Sequence, residues 1–122
     1  MSLKPENKVS IHRIIRAAGY SFQGLKSAYT HEAAFRQEVW LAIPLLPLGF
    51  IFGDSIIEKI LLVGTVLLVL IVELLNSAVE AVVDRIGSDY HELSGRAKDI
   101  GSAAVFLSMM LFVITWGLIL FN

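Results

Sequence analysis

The sequence has no cysteine and few charged residues, and both shortages restrict the classes of protein it can encode. Without cysteine there is no disulfide framework, iron–sulfur cluster or thiol chemistry. Charged residues make up 17% of the 122 residues, whereas soluble domains average about 25%. The formal net charge is −1, so no strong overall field indicates a nucleic-acid partner.

Several motifs of soluble enzymes are also absent. There is no Gly-x-x-x-x-Gly-Lys-Ser/Thr phosphate loop, no kinase glycine loop and no βαβ pattern that would predict a Rossmann fold. The dispersed histidines do not indicate a histidine metal site, and His91-Glu92 lacks the second histidine of a zinc-protease helix. No apolar segment with a small-residue cleavage site follows the polar residues 1–9, so we expect a flexible tail there and no cleaved signal peptide.

Apolar residues, in contrast, are abundant and grouped in blocks. They make up 56% of the sequence, and the mean hydropathy is +0.71. Because about 20 apolar residues cross a bilayer, these blocks predict an all-α integral membrane protein with a single domain at residues 10–122. The predicted spans lie at about residues 33–53, 60–83 and 101–121. We expect Pro44 and Pro47 to kink or locally unwind the first span, and Trp116 to be an interface anchor in the third.

A basic amphipathic segment precedes the spans. Ser10 can cap a helix at about residues 10–29, with apolar residues at three- and four-residue spacings and a basic polar side. This pattern is typical of a helix that lies in the membrane interface. Six of the ten lysine and arginine residues precede the first span, and three more lie in the polar segment 84–100, which we expect to be a loop. The positive-inside rule therefore predicts a cytoplasmic N-terminus and 84–100 segment, with the C-terminus outside.

The second span contains a polar stripe. At 100° per residue, Glu73, Glu80 and Asp84 fall within about 40° of one another, and Asn76 lies about 60° to one side. The stripe covers roughly 16 Å of helix. Because a carboxylate in hydrocarbon costs several kcal/mol, such residues face a bundle interior or a wet cavity.

Carboxylates near one membrane boundary, with Lys98 and Arg13 nearby, fit phosphoryl transfer. Mg²⁺ takes one or two carboxylates plus substrate phosphates, and the reaction also needs a cation and a residue that orients the attacking hydroxyl. The same stripe fits a proton relay or an oligomer contact equally well. Spacing alone leaves lipid-directed catalysis, transport and a structural interface open.

Four segments together resemble the prokaryotic diacylglycerol kinases, a family of small integral membrane enzymes. They are AAGYS at 17–21, EAAFRQE at 32–38, ELLNSAVEAVVDR at 73–85 and YHELSGRAKD at 90–99. The resemblance implies a homotrimer in the bacterial inner membrane, with composite active sites that transfer the γ-phosphoryl group of MgATP to diacylglycerol. The alternatives are the family branch that phosphorylates undecaprenol and, more distantly, a non-enzymatic proton relay or scaffold.

The resemblance also implies roles for individual residues. Glu73 would be the catalytic base, supported by Asn76, while Glu32 and Glu80 would bind Mg²⁺ and Asp84 would order one end of the stripe. Besides the two metal ligands, the implied ATP-binding residues are Arg13, Tyr20, Asp89, Tyr90, His91, Lys98 and Asp99. Besides Glu73, the implied lipid-binding residues are Ala17, Lys26, Tyr29, Ala34, Phe35, Arg36, Gln37, Glu38 and Ser102.

Overall fold

Four helices account for nearly all of the chain that the structure describes. The structure is a computed structural model that describes residues 10–87 and 91–122. Within these ranges the helices are α1 (Ile11–His31), α2 (Ala33–Phe52), α3 (Ile56–Ile86) and α4 (Glu92–Leu120), and there is no strand. Helices α2, α3 and α4 are long and apolar enough to cross a membrane. The predicted all-α membrane fold is confirmed, whereas the predicted tail at 1–9 lies outside the described residues.

Polar side chains mark where these helices begin. The Ser10 hydroxyl accepts a hydrogen bond from the Arg13 backbone N–H at 3.2 Å, as the sequence predicts for a cap of α1. The Ser55 hydroxyl does the same for α3, accepting from the Glu58 N–H at 3.1 Å. Between α1 and α2 only Glu32 has extended backbone angles, with φ −114° and ψ 105°. A single residue therefore turns the chain from the surface helix into the first span.

The polar segment 84–100 is mostly helical, so its prediction as a loop is wrong. Helix α3 continues through Ile86, and α4 begins as early as Glu92. His91 caps α4, because its Nδ1 accepts a hydrogen bond from the Leu93 N–H at 3.1 Å. Glu92 and Arg96 then form an ion pair one turn apart at 3.5 Å. Both helices therefore extend past their apolar stretches into the polar segment.

Helix α2 is continuous through Pro44 and Pro47, so the predicted local unwinding is wrong, whereas the kink that was the other expectation stays a prediction. Each proline removes one backbone donor and crowds the carbonyl oxygen of the preceding turn, yet the helix runs unbroken from Ala33 to Phe52. At the end of α2, Lys59 from α3 donates hydrogen bonds to the carbonyl oxygens of Phe50 and Gly53, at 2.5 and 2.6 Å. Carbonyls without a partner at the helix end are thus satisfied by the neighbouring helix.

The core lies along α3, which packs against both α2 and α4. Its centre is Leu62, which is completely buried against Ala42, Val66 and Trp116. The Trp116 indole N–H donates to the Leu62 carbonyl oxygen at 3.0 Å. Trp116 is therefore a core residue, and its prediction as an interface anchor is wrong. The sequence placed it near the end of a span, but the packing of α4 against α3 turns it inward.

Candidate active site

Glu73 is the most buried carboxylate in the described part of the chain. It lies in the middle of the apolar helix α3, and only 6% of its surface is exposed. Three other carboxylates, those of Glu80, Glu32 and Glu38, lie close enough to interact electrostatically with it. They belong to different parts of the fold. Glu80 is two turns further along the same helix, Glu32 stands between α1 and α2, and Glu38 lies in α2. Carboxylates this close to one another repel each other unless they bind a cation or share protons.

Glu32 is held at this place by its backbone. Its N–H donates to the Ala28 carbonyl oxygen at 2.8 Å, and its own carbonyl oxygen accepts from the Arg36 N–H at 3.1 Å. The residue therefore ends α1 and begins α2 through its main chain. Its side chain makes no capping hydrogen bond and is half-buried. The carboxylate is thus available to a ligand.

Asn76 orients Glu80. The Asn76 amide nitrogen Nδ2 donates to Oε1 of Glu80 at 3.2 Å, one helical turn away. The amide oxygen Oδ1 of Asn76 is buried and has no hydrogen-bond partner in the described structure. Gly101 of α4 lies directly against this oxygen. Gly101 begins a run of small residues, Gly101-Ser102-Ala103-Ala104, and such a run predicts close helix packing without indicating which residue it contacts.

Lys98 provides a cation at the end of the polar stripe. Its ammonium group lies 2.8 Å from Oδ1 of Asp84. Lys98 belongs to the polar first turns of α4, outside the apolar stretch, and the hydrogen bond with Asp84 raises its pKa above the ordinary value. The ammonium group therefore stays charged and can bind phosphate oxygens.

The carboxylates suit a cation that arrives with phosphate. Within residues 10–87 and 91–122, no group of three or more histidine, aspartate or glutamate side chains is arranged to hold a metal ion. Mg²⁺ is bound through one or two carboxylates, with substrate phosphates and waters as its other ligands. Glu32 has a free carboxylate and Glu80 is oriented by Asn76. Both side chains offer carboxylate oxygens, the ligand type that Mg²⁺ prefers, and their role as metal ligands stays a prediction.

Two cavities adjoin the carboxylates. One, of about 690 Å³, lies between α1 and α3 and includes Glu32, Ala28 and Ser77 among its lining residues. The other, of about 230 Å³, is lined by Glu38 and otherwise by apolar side chains of α2, α3 and α4. Oε2 of Glu38 is buried without a hydrogen-bond partner in the described structure. A polar acceptor beside apolar walls suits an amphipathic ligand.

Arg36 ties α1 to α2 next to Glu32. Its guanidinium donates to the carbonyl oxygens of Tyr29 at 2.7 Å and Thr30 at 3.3 Å, at the end of α1. The Trp40 indole N–H donates to the Tyr29 hydroxyl at 2.9 Å. These contacts hold the end of α1 against the first turns of α2.

The other predicted site residues are spread over α1, α2 and α4 or lie outside the described residues. Phe35 is buried in α2, Arg13 donates its backbone N–H to the cap of α1, and His91 caps α4. Exposed positions on α1, α2 or α4 are occupied by Ala17, Tyr20, Lys26, Ala34, Gln37, Asp99 and Ser102. Asp89 and Tyr90 lie outside the described residues. Ligand contacts at all these positions stay predictions.

Comparison with known proteins agrees with the resemblance predicted from the motifs. The family model described as prokaryotic diacylglycerol kinase matches residues 19–120. The chain is 58% identical over 108 residues to the diacylglycerol kinase of Haemophilus influenzae, covering 88% of this chain and 92% of that protein. It is 53% identical to that of Escherichia coli K12 over 116 residues, which is 95% of each chain. For the Pseudomonas aeruginosa protein of the same name, the identity is 46% over 121 residues, 98% of each chain. The chain belongs to the prokaryotic diacylglycerol kinase family.

Proposed function

We propose that the protein transfers the γ-phosphoryl group of ATP to the free hydroxyl of diacylglycerol, giving phosphatidic acid and ADP. The observation that carries the proposal is the burial of Glu73 in an apolar helix, with Glu32, Glu38 and Glu80 close enough for their charges to interact. A buried carboxylate at membrane depth is expensive and has a functional role by default. Family membership supports lipid phosphorylation as that role.

In this mechanism Glu73 is the general base. As the lipid hydroxyl oxygen bonds to the γ-phosphorus, its proton passes to the Glu73 carboxylate. The bond from the γ-phosphorus to the bridging oxygen breaks, and ADP leaves with the electron pair. Phosphoryl transfer depends mainly on positioning and on the stabilisation of charge. A base fixed inside a helix bundle can meet a hydroxyl that remains in the membrane.

The residues around Glu73 handle the phosphates. Glu32 and Glu80 would hold Mg²⁺, which when bound neutralises charge on the phosphate oxygens. Asn76 holds the Glu80 carboxylate in one orientation through its 3.2 Å hydrogen bond. Lys98 binds phosphate oxygens, and Asp84, at 2.8 Å, keeps its ammonium group at the end of α3.

The remaining ligand contacts are proposed from the family resemblance. Besides Lys98 and the two metal ligands, ATP would contact Arg13, Tyr20, Asp89, Tyr90, His91 and Asp99. Besides Glu73, the lipid would contact Ala17, Lys26, Tyr29, Ala34, Phe35, Arg36, Gln37, Glu38 and Ser102. Residues 10–122 would form a single kinase domain. Its N-terminus and the connection between α3 and α4 would face the cytoplasm of a bacterial inner membrane, in keeping with the distribution of lysine and arginine.

We also propose that three copies of the chain share their active sites. Large apolar side chains are exposed on all three candidate spans, for example Ile43, Leu75 and Phe106 at 66%, 63% and 62%. Contacts between subunits would cover part of this surface, and lipid the rest. Size-exclusion chromatography with light scattering in a mild detergent tests the stoichiometry, and a monomer would contradict it.

Transfer of label tests the reaction directly. Purified protein in detergent micelles is incubated with γ-³²P-ATP and dioleoylglycerol, with Mg²⁺ or with excess chelator. We expect labelled phosphatidic acid only with Mg²⁺, and none from Glu73→Gln. The matched control is Glu58→Gln in the same helix, whose amide oxygen can still accept the Asp54 N–H hydrogen bond at the far end. Label in undecaprenol but not in dioleoylglycerol would overturn the proposed substrate, and label in neither would overturn the proposed kinase reaction.

A further inference from the structure

At Gly101 the backbone of α4 lies so close to the amide of Asn76 that position 101 has no space for a side chain. A Cβ atom placed on Gly101 would overlap Oδ1 of Asn76, and would lie 3.3 Å from its Cγ and 3.9 Å from its Cβ. These three nearest atoms all belong to Asn76. The backbone of α4 at Gly101 therefore packs directly against the side chain of Asn76 in α3.

Asn76 has two neighbours that determine its orientation. On one side Nδ2 donates to Glu80. On the other side Oδ1 is buried, and no donor in the described structure holds it. Packing against Gly101 is thus the contact on the oxygen side that keeps Nδ2 directed at Glu80.

We propose that Gly101 is a positioning residue for metal binding, which acts through Asn76 on the Glu80 carboxylate. This inference rests on the proposed role of Glu80 as a ligand of Mg²⁺. Hydrogen-bond partners that orient metal ligands typically change metal affinity by tenfold or more when they are lost. Gly101 is one contact further from the metal than Asn76, and its effect on metal binding requires the Asn76 side chain.

Alanine at position 101 displaces a side chain rather than the helix. The overlapping atom is the end of a side chain that can rotate, whereas alanine is a better helix former than glycine. A groove of about 460 Å³ between α3 and α4, lined by Asn76, Val79 and Ala104 among others, offers space for the displaced amide. We therefore expect Gly101→Ala to fold and to lose the hydrogen bond between Asn76 and Glu80.

The test compares two glycines of the same helix. Gly117 is the matched control, because a Cβ there would meet nothing within 4 Å. Binding of Mn²⁺ in place of Mg²⁺ is measured by electron paramagnetic resonance with a non-hydrolysable ATP analogue, on the full chain in micelles. We expect Gly101→Ala to weaken Mn²⁺ binding by about tenfold and Gly117→Ala by less than about twofold. Unchanged Mn²⁺ binding in Gly101→Ala would overturn the inference.

A double-variant cycle tests the route of the effect. In the Asn76→Ala background, adding Gly101→Ala should change Mn²⁺ affinity by less than about twofold, because the displaced side chain is already absent. An undiminished effect in that background would show that Gly101 does not act through Asn76. If Gly101→Ala alone fails to fold, the double variant should fold, and a double variant that also fails would overturn the inference.

The role of Glu80 is tested separately. If Glu80→Gln binds Mn²⁺ as tightly as the unchanged protein, the proposed metal ligand is wrong. The side-chain amide resonances of Asn76, assigned from Asn76→Ala, then still report on the contact itself. They should shift in Gly101→Ala and not in Gly117→Ala. Resonances that do not move in Gly101→Ala would overturn the positioning role whatever the identity of the metal ligands.

Discussion

The Lys98 ammonium group lies 2.8 Å from Oδ1 of Asp84, and this contact joins the end of α3 to the first turns of α4. Both side chains are substantially exposed, with 43% and 65% of their surface accessible, so the pair adds little to stability. Its effect is on geometry, because it holds the Lys98 ammonium group at the end of the polar stripe.

Removal of the Lys98 charge should therefore weaken ATP binding more than folding. We expect Lys98→Met to raise the KM for ATP by about tenfold or more, as for the loss of one charge-assisted hydrogen bond. The thermal midpoint should change little. Arg96→Met is the control, since Arg96 pairs with Glu92 inside α4. An unchanged KM for ATP in Lys98→Met would contradict the assigned role.

The pH dependence of this contact has a definite sign. The hydrogen bond from Lys98 to Asp84 raises the lysine pKa above its ordinary value of 10.5. The stabilisation is therefore fully present below that value and is lost only as the pH rises through the folded-state pKa. We expect Lys98 to cause no change in the KM for ATP between about pH 7 and pH 9. A steady-state pH series of unchanged protein and Lys98→Met checks this, and a pH-dependent ratio of their KM values would contradict it.

Glu73→Gln should abolish turnover without loss of structure. The substitution keeps the volume but removes the base, and general-base catalysis contributes about 10²- to 10⁴-fold to a rate. Because the change also removes one of several carboxylates that repel one another, the thermal midpoint should stay the same or rise. Rapid-quench measurement of a single turnover and thermal denaturation of the same sample check both expectations. Near-normal single-turnover rates would exclude Glu73 as the base.

Trp116→Phe should destabilise the protein without affecting catalysis. The substitution removes the hydrogen bond to the Leu62 carbonyl oxygen in the buried core. The Thr65 hydroxyl, which the carbonyl oxygens of Leu61 and Leu62 share at 3.0 and 3.1 Å, can still donate to the Leu62 oxygen, so we expect a loss of about 1 kcal/mol. The control is Trp40→Phe, which removes an exposed hydrogen bond to Tyr29. Unfolding by sodium dodecyl sulfate measures both variants, and equal midpoints would argue against the core role of Trp116.

Arg36→Met should loosen the end of α1. Two carbonyl oxygens, of Tyr29 and Thr30, lose the donor that holds them, so their turn should open more often. Hydrogen–deuterium exchange should be faster at the end of α1 and unchanged in the middle of α3. The control Lys26→Met removes a positive charge from α1 without removing that donor. Equal exchange in the two variants would show that charge, rather than the hydrogen bonds, holds α1.

The hydrophobic pattern predicted the helices well but not all of their ends. Long apolar blocks require backbone hydrogen bonds within the segment, which is why all three candidate spans were found. The ends of α3 and α4 extend further, into the polar segment where Lys98 contacts Asp84 across the connection and Glu92 pairs with Arg96. Such pairings depend on which side chains come together and have no signature in hydropathy.

Helical spacing alone placed Glu73, Asn76 and Glu80 on one side of α3, because the 3.6-residue period fixes the angles between residues of the same helix. The predicted position of the membrane boundary added Glu32 and Lys98, and the family motifs named the chemistry. Contacts between helices required the tertiary structure. Only the approach of α4 to α3 brings the Gly101 backbone against Asn76 and turns Trp116 inward. Helical periodicity determines which residues share one side of a helix, whereas the packing of helices determines which residues of a neighbouring helix contact them.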